Sequence, residues 1–240
     1  MLVIILIILL CLFIIIFKYN SNIKMSKYDT AYEKYRKRYL ESKTQGTNFF
    51  EELKKLYPTP QFDKDRSVDY GKHKITYGEL SYEGFEDILK KFNYNFDTFI
   101  DIGSGRGKLC LYASGFNVIN KSIGIELVKE RHDDAIILKN KLKRFPNVKK
   151  VDFYNEDLFE RNINDFIYAD SRVLIWISNL CFDEELNKKL FDKLTKELPK
   201  GVIISCSKKP AENKILEDLG QINVKMSWSD DSPVYFLKIK

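Results

Sequence analysis

The sequence predicts an α/β domain built on a mostly parallel sheet, with one apolar helix ahead of it. Short β-rich runs alternate with helical patterns from about residue 76 onward, which indicates βαβ units. The last two β-rich runs follow one another with no helix between them, which predicts a closing hairpin. The chain has 240 residues, of which 44% are hydrophobic and 31% charged, enough for one domain and an appendage.

Seven strands are expected in total. Helical patterns lie at Phe85–Phe92, Leu127–Arg144 and Asp183–Leu198. Five strands are predicted in the alternating part and two in the hairpin: Thr98–Ile102, Ser122–Leu127, Lys150–Tyr154, Val173–Ser178 and Val202–Ser205, then Asn223–Trp228 and Val234–Ile239.

The N-terminal segment is predicted to be a transmembrane anchor. Leu2–Phe17 is a run of sixteen apolar residues, which spans about 24 Å as a helix against a hydrocarbon core of about 30 Å. Lysines directly after the run predict that the catalytic domain stays in the cytosol on a single-pass protein. A cleaved signal peptide is the alternative, but no basic region precedes the run and no small-residue cleavage site follows it.

The remaining chain divides at about residue 75. We expect an anchor at residues 1–18, a basic helical connector at residues 19–75 and the catalytic domain at residues 76–240. From Lys18 to Lys43 there are eight basic residues and three acids, a balance that favours lipid headgroups over nucleic acid. Tyrosines at helical spacing between 28 and 39 are expected to pack on the next domain, rather than on lipid or a partner. The four scattered cysteines indicate neither disulfides nor a metal site.

A glycine-rich turn follows the first predicted strand of the alternating part. Asp101 ends that strand, and Gly103, Ser104, Gly105 and Gly107 lead into a helix. Glycines let the backbone approach a ligand closely, and the helix N-terminus suits an anion such as the methionine carboxylate of a cofactor. The spacing differs from a dinucleotide-binding fingerprint, and no phosphate-loop lysine–serine pair follows.

Two further acids follow the next two strands. Glu126 can accept both hydroxyls of a ribose, and Asp157 can accept an adenine amino group, with Leu158 and Phe159 beside the ring. Both positions also have a purely structural interpretation, since acids favour helix N-termini and Asp is a good N-cap. Because the three acids follow successive strands, they are expected to meet at one edge of the sheet.

The fourth predicted strand ends in an Asn with apolar and aromatic neighbours. Asn179 precedes Phe182 by three residues, and its amide could orient a cofactor or an incoming amine in a dry pocket. An Asn-led turn into the helix beginning near Asp183 explains the same residue equally well.

Four stretches resemble the disruptor-of-telomeric-silencing family, the non-SET histone lysine methyltransferases. The similarity covers about residues 76–240, and the departures are Leu80, Leu180 and the lack of that family's large helical N-terminal region and lysine-rich tail. The four stretches are Tyr77-Gly78-Glu79 with Ser81, Asp101–Gly105 with Gly107, Asn179–Phe182, and Ser227-Trp228 with Pro233–Phe236.

The resemblance implies a class I, Rossmann-like methyltransferase sheet and transfer of a methyl group from S-adenosyl-L-methionine to a protein lysine, with histones among the candidate substrates. A neutral amine would attack the cofactor methyl, with desolvation lowering the pKa of the lysine. The implied catalytic residues are Asn179, Phe182, Tyr235 and Glu79, and no metal is implied. The implied cofactor-binding residues are Tyr77, Asp101, Gly103, Ser104, Gly105, Gly107, Glu126, Asp157, Leu158 and Asn179.

Two other functions stay open from the sequence. A membrane-anchored lysine methyltransferase of organelles, acting on a membrane-complex subunit, also combines an apolar helix with a glycine loop. A non-catalytic, cofactor-binding adaptor would keep the fold without turnover. The stretches Tyr77-Gly78-Glu79 and Ser227-Trp228 favour the histone-type family over the first, and the complete set of acids favours an enzyme over the second.

Overall fold

Nine strands and six helices make up the part of the chain that this computed structural model describes, residues 33–57, 63–70 and 73–240. The strands are β1 (Asp63–Tyr70), β2 (His73–Tyr77), β3 (Thr98–Ile102), β4 (Lys121–Glu126), β5 (Val151–Asn155), β6 (Val173–Ile177), β7 (Ile203–Cys206), β8 (Leu216–Val224) and β9 (Ser232–Ile239). The helices are α1 (residues 33–45), α2 (Thr47–Leu56), α3 (Tyr82–Lys91), α4 (Lys108–Ser114), α5 (Lys129–Lys141) and α6 (Glu184–Glu197).

Seven strands form the central sheet in the order β5-β4-β3-β6-β7-β9-β8. The strands β3 to β7 run parallel, and β9 pairs antiparallel with both β7 and β8. β3 is the middle one of the five parallel strands, and its residue Asp101 is opposite Gly124 on one side and Trp176 on the other. Because the parallel strands end at one edge, the residues that follow them converge there. The predicted seven-stranded α/β sheet with a closing hairpin is confirmed.

Helices cover both faces of this sheet. The apolar sides of α2, α3 and α4 pack on one face, and α6 packs on the other. Ser81 caps α3 by accepting a hydrogen bond from Gly84 N, and Asp183 caps α6 by accepting one from Leu186 N. Both helices therefore begin at the edge of the sheet where the parallel strands end, and these caps fix their start.

The eighth strand differs from its prediction. It spans Leu216–Val224 and not Asn223–Trp228. As an edge strand, it buries only its first and last residues, so the apolar alternation that marks a strand is missing from the sequence. The apolar residues that suggested a strand at 223–228 belong instead to its end and to the loop after it.

Residues 33–57 contribute to the core of the domain. Phe49, Phe50 and Leu53 of α2 are buried in the same cluster as α3 and α4. Tyr39 of α1 is 4% exposed and stacks on Tyr94 with ring centroids 4.0 Å apart. The predicted packing of the tyrosines on the domain is confirmed for Tyr39, whereas Tyr28 and Tyr32 lie outside the described residues.

The stretch expected to be a helical connector also contains the β1–β2 hairpin. These two strands form their own small antiparallel sheet. The expected anchor, Leu2–Phe17, lies outside the described residues. Within residues 33–57, 63–70 and 73–240, no helix has the length and apolarity needed to cross a membrane.

Candidate active site

A pocket with two compartments opens where β3, β4, β5 and β6 end. Gly78, Gly103 and Ser178 lie between the compartments and line both. The wide compartment contains the ends of β4 and β5, and the small one lies under the loop before α3. The other residues of the wide compartment are Ile102, Ile125, Glu126, Leu127, Val128, Arg131, Glu156, Asp157, Leu158, Phe159, Phe182, Leu186 and Leu190. Those of the small compartment are Glu79, Leu80, Asp101, Ser104, Lys108, Leu109 and Trp176.

The glycine-rich turn connects β3 to α4 across the pocket. Gly103, Gly105 and Gly107 have φ angles of +77°, +53° and +71°, which other residues adopt only with strain. At Gly107 there is also no room, since an added Cβ would lie 2.3 Å from Cζ of Phe153. At Gly103 nothing lies within 4 Å of an added Cβ. The turn therefore leaves space above Gly103, on the side where a ligand would lie.

Glu126 joins the turn to the start of α5. Its Oε2 accepts a hydrogen bond from Gly105 N at 2.7 Å, and its Oε1 accepts one from Val128 N at 2.8 Å. The side chain is nearly buried, and burial raises its pKa. The carboxylate thus holds two loops together and also lines the wide compartment, where a ribose was expected.

Asp157 serves as an N-cap, as one of the two sequence interpretations had it. Its Oδ1 accepts a hydrogen bond from Phe159 N at 2.8 Å and so caps the short 3₁₀ helix Leu158–Glu160. Asp157, Leu158 and Phe159 nevertheless all line the wide compartment. The cap therefore positions an acid beside two apolar side chains, an arrangement that suits an adenine ring.

The small compartment contains a buried ion pair. Lys108 Nζ lies 2.9 Å from Oε2 of Glu79 and 3.0 Å from the carbonyl oxygen of Leu80. The side chains of Lys108 and Glu79 are 3% and 7% exposed. Burial lowers the pKa of Lys108, although Glu79 opposes that shift. Burial, followed by the charge of Glu126, raises the pKa of Asp101 well above its ordinary value.

Lys108 was missed as a site residue in the sequence. It is the first residue of α4, directly after the glycine turn. A cation is electrostatically unfavourable at a helix N-terminus, and that unusual placement was the available signal. The partner of Lys108 is 29 residues away in the chain, so the pair itself could not be read from spacing.

Two stretches that carried the family resemblance pair with each other at the rim of the pocket. Glu79 N donates to Ser227 Oγ at 2.9 Å, and Ser227 N donates to the carbonyl oxygen of Glu79 at 2.8 Å. Leu80 forms a β-bridge with Met226. Gly78 lies against the ring of Trp228, so that an added Cβ would be 2.5 Å from Cζ3. The loop after β8 thus holds Glu79 at the small compartment.

Asn179 has a different role from the predicted contact with the reacting centre. The residue is fully buried, and its Nδ2 donates to Oδ1 of Asn187 at 2.6 Å and to the carbonyl oxygen of Lys208 at 2.8 Å. Its Oδ1 accepts from Ser207 N and Lys208 N, both at 3.0 Å. Both amide hydrogens and both carbonyl lone pairs are therefore used. This amide joins the ends of β6 and β7 to α6 and does not point into the pocket.

The two aromatic residues expected to form one channel lie in different surroundings. Phe182 lines the wide compartment. Tyr235 is on β9 opposite Cys206, with Lys209 Nζ 5.0 Å from its ring centroid, and it is not among the described residues that line either compartment. Tyr77 ends β2, and its side chain lies outside the described part of the chain.

The residues of the pocket fit S-adenosylmethionine. Its amino group and sulfonium are cationic, and the pocket contains the three buried acids Glu79, Asp101 and Glu126. Among the described residues, the buried hydroxyl oxygen of Ser104 has no hydrogen-bond partner, and such a group is costly unless something binds it. Apolar side chains beside Asp157 complete the wide compartment.

A sheet of this order, with a reversed strand beside β7, is the scaffold of class I methyltransferases, and the buried acids stand where such a domain binds its cofactor. The chain belongs to the DOT1 family: the family described as "Histone methylation protein DOT1" matches residues 66–237. Members of this family use S-adenosylmethionine as the methyl donor.

Three individual proteins illustrate the similarity. A Caenorhabditis elegans protein named histone-lysine N-methyltransferase, H3 lysine-79 specific, is 30% identical over 145 residues, which cover 58% of this chain and 15% of the relative. A carboxy-S-adenosyl-L-methionine synthase of Nautilia profundicola is 26% identical over 133 residues, or 55% of this chain and 53% of the relative. An RNA methyltransferase from Salinibacter ruber, solved with S-adenosyl-L-homocysteine, has a TM-score of 0.47 and 19% identity, covering 64% of this chain and 88% of that one.

Proposed function

We propose that this protein transfers a methyl group from S-adenosylmethionine to the side-chain amine of a lysine in a protein substrate. The observation that carries the proposal is the pairing of Gly78–Ser81 with Lys225–Trp228 at the pocket. Both stretches resemble the lysine methyltransferases of the family, and neither belongs to the glycine turn shared by many methyltransferases. Glu79 lines the small compartment together with Gly103 and Ser104, and Trp228 packs against Gly78.

The chain's own residues account for binding and orientation of the cofactor. Glu126 lies where it can accept hydrogen bonds from ribose hydroxyls, and Asp157 where it can accept one from an adenine amino group. Asp101 and Glu79 provide negative charge for the amino group and the sulfonium. When bound, S-adenosylmethionine supplies a methyl group already activated by the positive sulfur.

Residues at the rim of the pocket act on the lysine. Phe182 lines the wide compartment, Trp228 packs against Gly78, and both rings are partly buried. Apolar rings at these positions would keep water from an amine that enters beside them. Desolvation lowers the pKa of an entering lysine, which favours the neutral amine that can attack the methyl group. Asn179 supports this rim by fixing the ends of β6 and β7 through its four hydrogen bonds.

Two classes of protein are candidate substrates, histones and membrane proteins. The C. elegans relative is named for lysine 79 of histone H3, so histone lysines are the first candidates. This chain spans only 15% of that relative's length. Surfaces that select the substrate of that relative need not occur in this chain. A lysine of a membrane protein is therefore the alternative substrate.

The test uses the full chain in detergent with cofactor that carries a labelled methyl group. Nucleosomes, free histones and a solubilised membrane extract are offered separately, with Asp101→Asn as the inactive control. We expect label on lysine with the wild-type chain and none with the variant. Cofactor binding without transfer to any protein would instead support the adaptor, and label on nucleic acid or on a small molecule would contradict lysine transfer.

We also propose that Leu2–Phe17 anchors the protein in a membrane, with the methyltransferase domain in the cytosol. The support is the uninterrupted apolar run and the lysines that follow it. In cells that express the full chain, we expect it to stay with membranes after alkaline carbonate extraction and the domain to be digested by protease added to the cytosolic side. Release by carbonate, or a chain that lacks these residues at its mature N-terminus, would contradict the anchor.

A further inference from the structure

A residue outside the family-matched region contacts the cofactor pocket. The match begins at residue 66, whereas Tyr57 directly follows α2 and is 7% exposed. Its hydroxyl donates a hydrogen bond to Oε1 of Glu79 at 2.6 Å. Glu79 lines the small compartment, so one hydrogen bond separates the N-terminal helices from the pocket.

Tyr57 is itself held in place from both sides. Its backbone N–H donates to the carbonyl oxygen of Leu53 at 2.8 Å, and its carbonyl oxygen accepts from the hydroxyl of Tyr82 at 3.0 Å. Leu53 is fully buried in the core. The position of the Tyr57 hydroxyl therefore depends on α2 being packed on the domain.

Tyr57 and Lys108 contact different oxygens of the Glu79 carboxylate. Tyr57 contacts one carboxylate oxygen, and Lys108 Nζ contacts the other at 2.9 Å. Without the Tyr57 hydroxyl, the charge of Lys108 would draw the carboxylate toward itself. Glu79 would then present less of its negative charge to the small compartment.

We propose that Tyr57 is a positioning residue for the cofactor site, and that residues 33–57 are for this reason part of the catalytic unit. The Tyr57 hydroxyl keeps Glu79 oriented so that its carboxylate can receive the amino group of the cofactor's methionine portion. The inference rests on the proposed function, because it assumes that S-adenosylmethionine binds in this pocket. Its consequence is that loss of the Tyr57 hydroxyl weakens cofactor binding while the domain stays folded.

The chain contains a matched control for this bond. Tyr39 of α1 donates to Oε2 of Glu86 at 2.6 Å, and Lys43 Nζ contacts Oε1 of Glu86 at 2.6 Å. A tyrosine hydroxyl and a lysine thus share one carboxylate here too, although the Tyr112 hydroxyl is a further donor to Glu86. Glu86 is not among the described residues that line the two compartments. Tyr39→Phe thus removes the same kind of bond from the same N-terminal segment at a different place.

The experiment compares Tyr57→Phe and Tyr39→Phe in the full chain. The dissociation constant of S-adenosylhomocysteine is measured by calorimetry, KM and kcat by methyl transfer, and stability by thermal unfolding. We expect Tyr57→Phe to raise Kd and the KM for S-adenosylmethionine roughly tenfold, an amount typical of a hydrogen bond to a charged group. We expect kcat at saturating cofactor to stay within about twofold, and Tyr39→Phe to leave Kd unchanged while lowering stability to a similar degree.

A double variant tests whether the effect passes through Glu79. In a Glu79→Gln background, which is itself expected to bind more weakly, Tyr57→Phe should change Kd by less than about twofold. This comparison also serves if Tyr57→Phe proves hard to purify, since Tyr57→Trp can replace it in both backgrounds. Additive effects of the two substitutions would overturn the proposal.

The outcomes separate this inference from the proposed function. Equal effects of Tyr57→Phe and Tyr39→Phe on Kd would show that Tyr57 has a structural role alone and would overturn the inference. A wild-type chain that binds the cofactor but transfers no methyl group would overturn lysine transfer and leave the Kd comparison decisive. A wild-type chain that binds no cofactor would overturn both.

Discussion

Buried charges decide much of the chemistry of single residues in this pocket. The pocket contains the buried acids Glu79, Asp101 and Glu126 and the buried bases Lys108 and Arg131. Burial and Glu126 raise the pKa of Asp101, so it holds a proton at pH values where an exposed Asp is ionised. The cationic groups of S-adenosylmethionine favour the ionised form. Cofactor binding and ionisation of Asp101 are therefore coupled.

This coupling predicts that cofactor binding releases protons. Because the pKa of Asp101 is raised in the free protein and lowered by the bound cations, affinity should increase as pH rises toward that raised pKa. Stability of the free protein should change in the opposite sense: it is highest below the ordinary Asp pKa and is lost as pH rises from there to the raised value. Calorimetry in two buffers with different ionisation enthalpies measures the released protons.

Two variants serve as controls for the proton release. Asp101→Asn should abolish the pH-dependent part of the proton release. Asp218→Asn should not, because Asp218 is exposed and Lys209 lowers its pKa. Equal proton release from wild type and Asp101→Asn would show that another group titrates.

Gly78 is predicted to be sensitive to the smallest enlargement. Its Cα hydrogen faces the ring of Trp228, and a methyl group there would lie 2.5 Å from the ring. We expect Gly78→Ala to displace Trp228 and to raise the cofactor Kd about tenfold or more, since overpacking costs about 1–3 kcal/mol. The double variant Gly78→Ala/Trp228→Leu provides space and should recover part of the affinity. Lack of recovery would mean that the contact is not the cause.

At the scale of secondary-structure elements, the five parallel strands were predictable, whereas β8 and the β1–β2 hairpin were not. Strands β3 to β7 agree with the prediction to within one residue at each end, because parallel strands buried on both faces are short apolar runs. β8 was misplaced because only its two ends are buried. The β1–β2 hairpin was missed because Asp63–Tyr70 is mostly polar and lacks a strand pattern.

The residues of the candidate site also differ in whether the sequence could predict them. Asp101, Glu126 and Asp157 could be located because each lies at or just after the end of a parallel strand, and these ends meet at one edge of the sheet. The contacts of Lys108 and Tyr57 with Glu79 depend on tertiary packing over 29 and 22 residues, which no local pattern encodes. The orientation of the Asn179 amide is likewise set by β7 and α6. Its hydrogen-bond partners could not be predicted from the sequence, because they lie on other elements.

Asn179→Ala should act on the connection between elements and not on one cofactor contact. It would remove the partner of the backbone N–H and carbonyl of Lys208 and of Oδ1 of Asn187, and would leave Ser207 N with its bond to the Ile177 carbonyl. We expect the free energy of unfolding to fall by about 3 kcal/mol, measured by chemical denaturation. Asn162→Ala removes an exposed capping bond and should cost about 1 kcal/mol or less. If Asn179→Ala weakened cofactor binding at unchanged stability, the result would support the predicted contact between Asn179 and the cofactor.

At the scale of the whole molecule, the folding unit extends beyond the family match. Residues 33–57 bury Tyr39, Phe49, Phe50 and Leu53 in the core. Each such side chain contributes about 1.5–3 kcal/mol, and together they approach the net stability of a typical domain, about 5–15 kcal/mol. A chain that starts at residue 66 therefore exposes a large apolar face on α3 and α4.

We predict that a chain starting at residue 66 does not fold cooperatively, whereas one starting at Ser26 unfolds at nearly the same temperature as the full chain. Circular dichroism on heating measures both. A cooperative transition in the shorter chain within a few degrees of the longer one would show that α1 and α2 are dispensable.

The position of β9 affects how the sheet can assemble during synthesis. β9 is made after β8 but lies between β8 and β7. While a ribosome is still adding residues before Ser232, β7 has an open edge and β8 has no neighbour to join. An open strand edge can pair with other chains. Until β9 is complete, the nascent protein is therefore exposed to aggregation through the free edge of β7. Assembly of this sheet cannot follow the order in which its strands are translated.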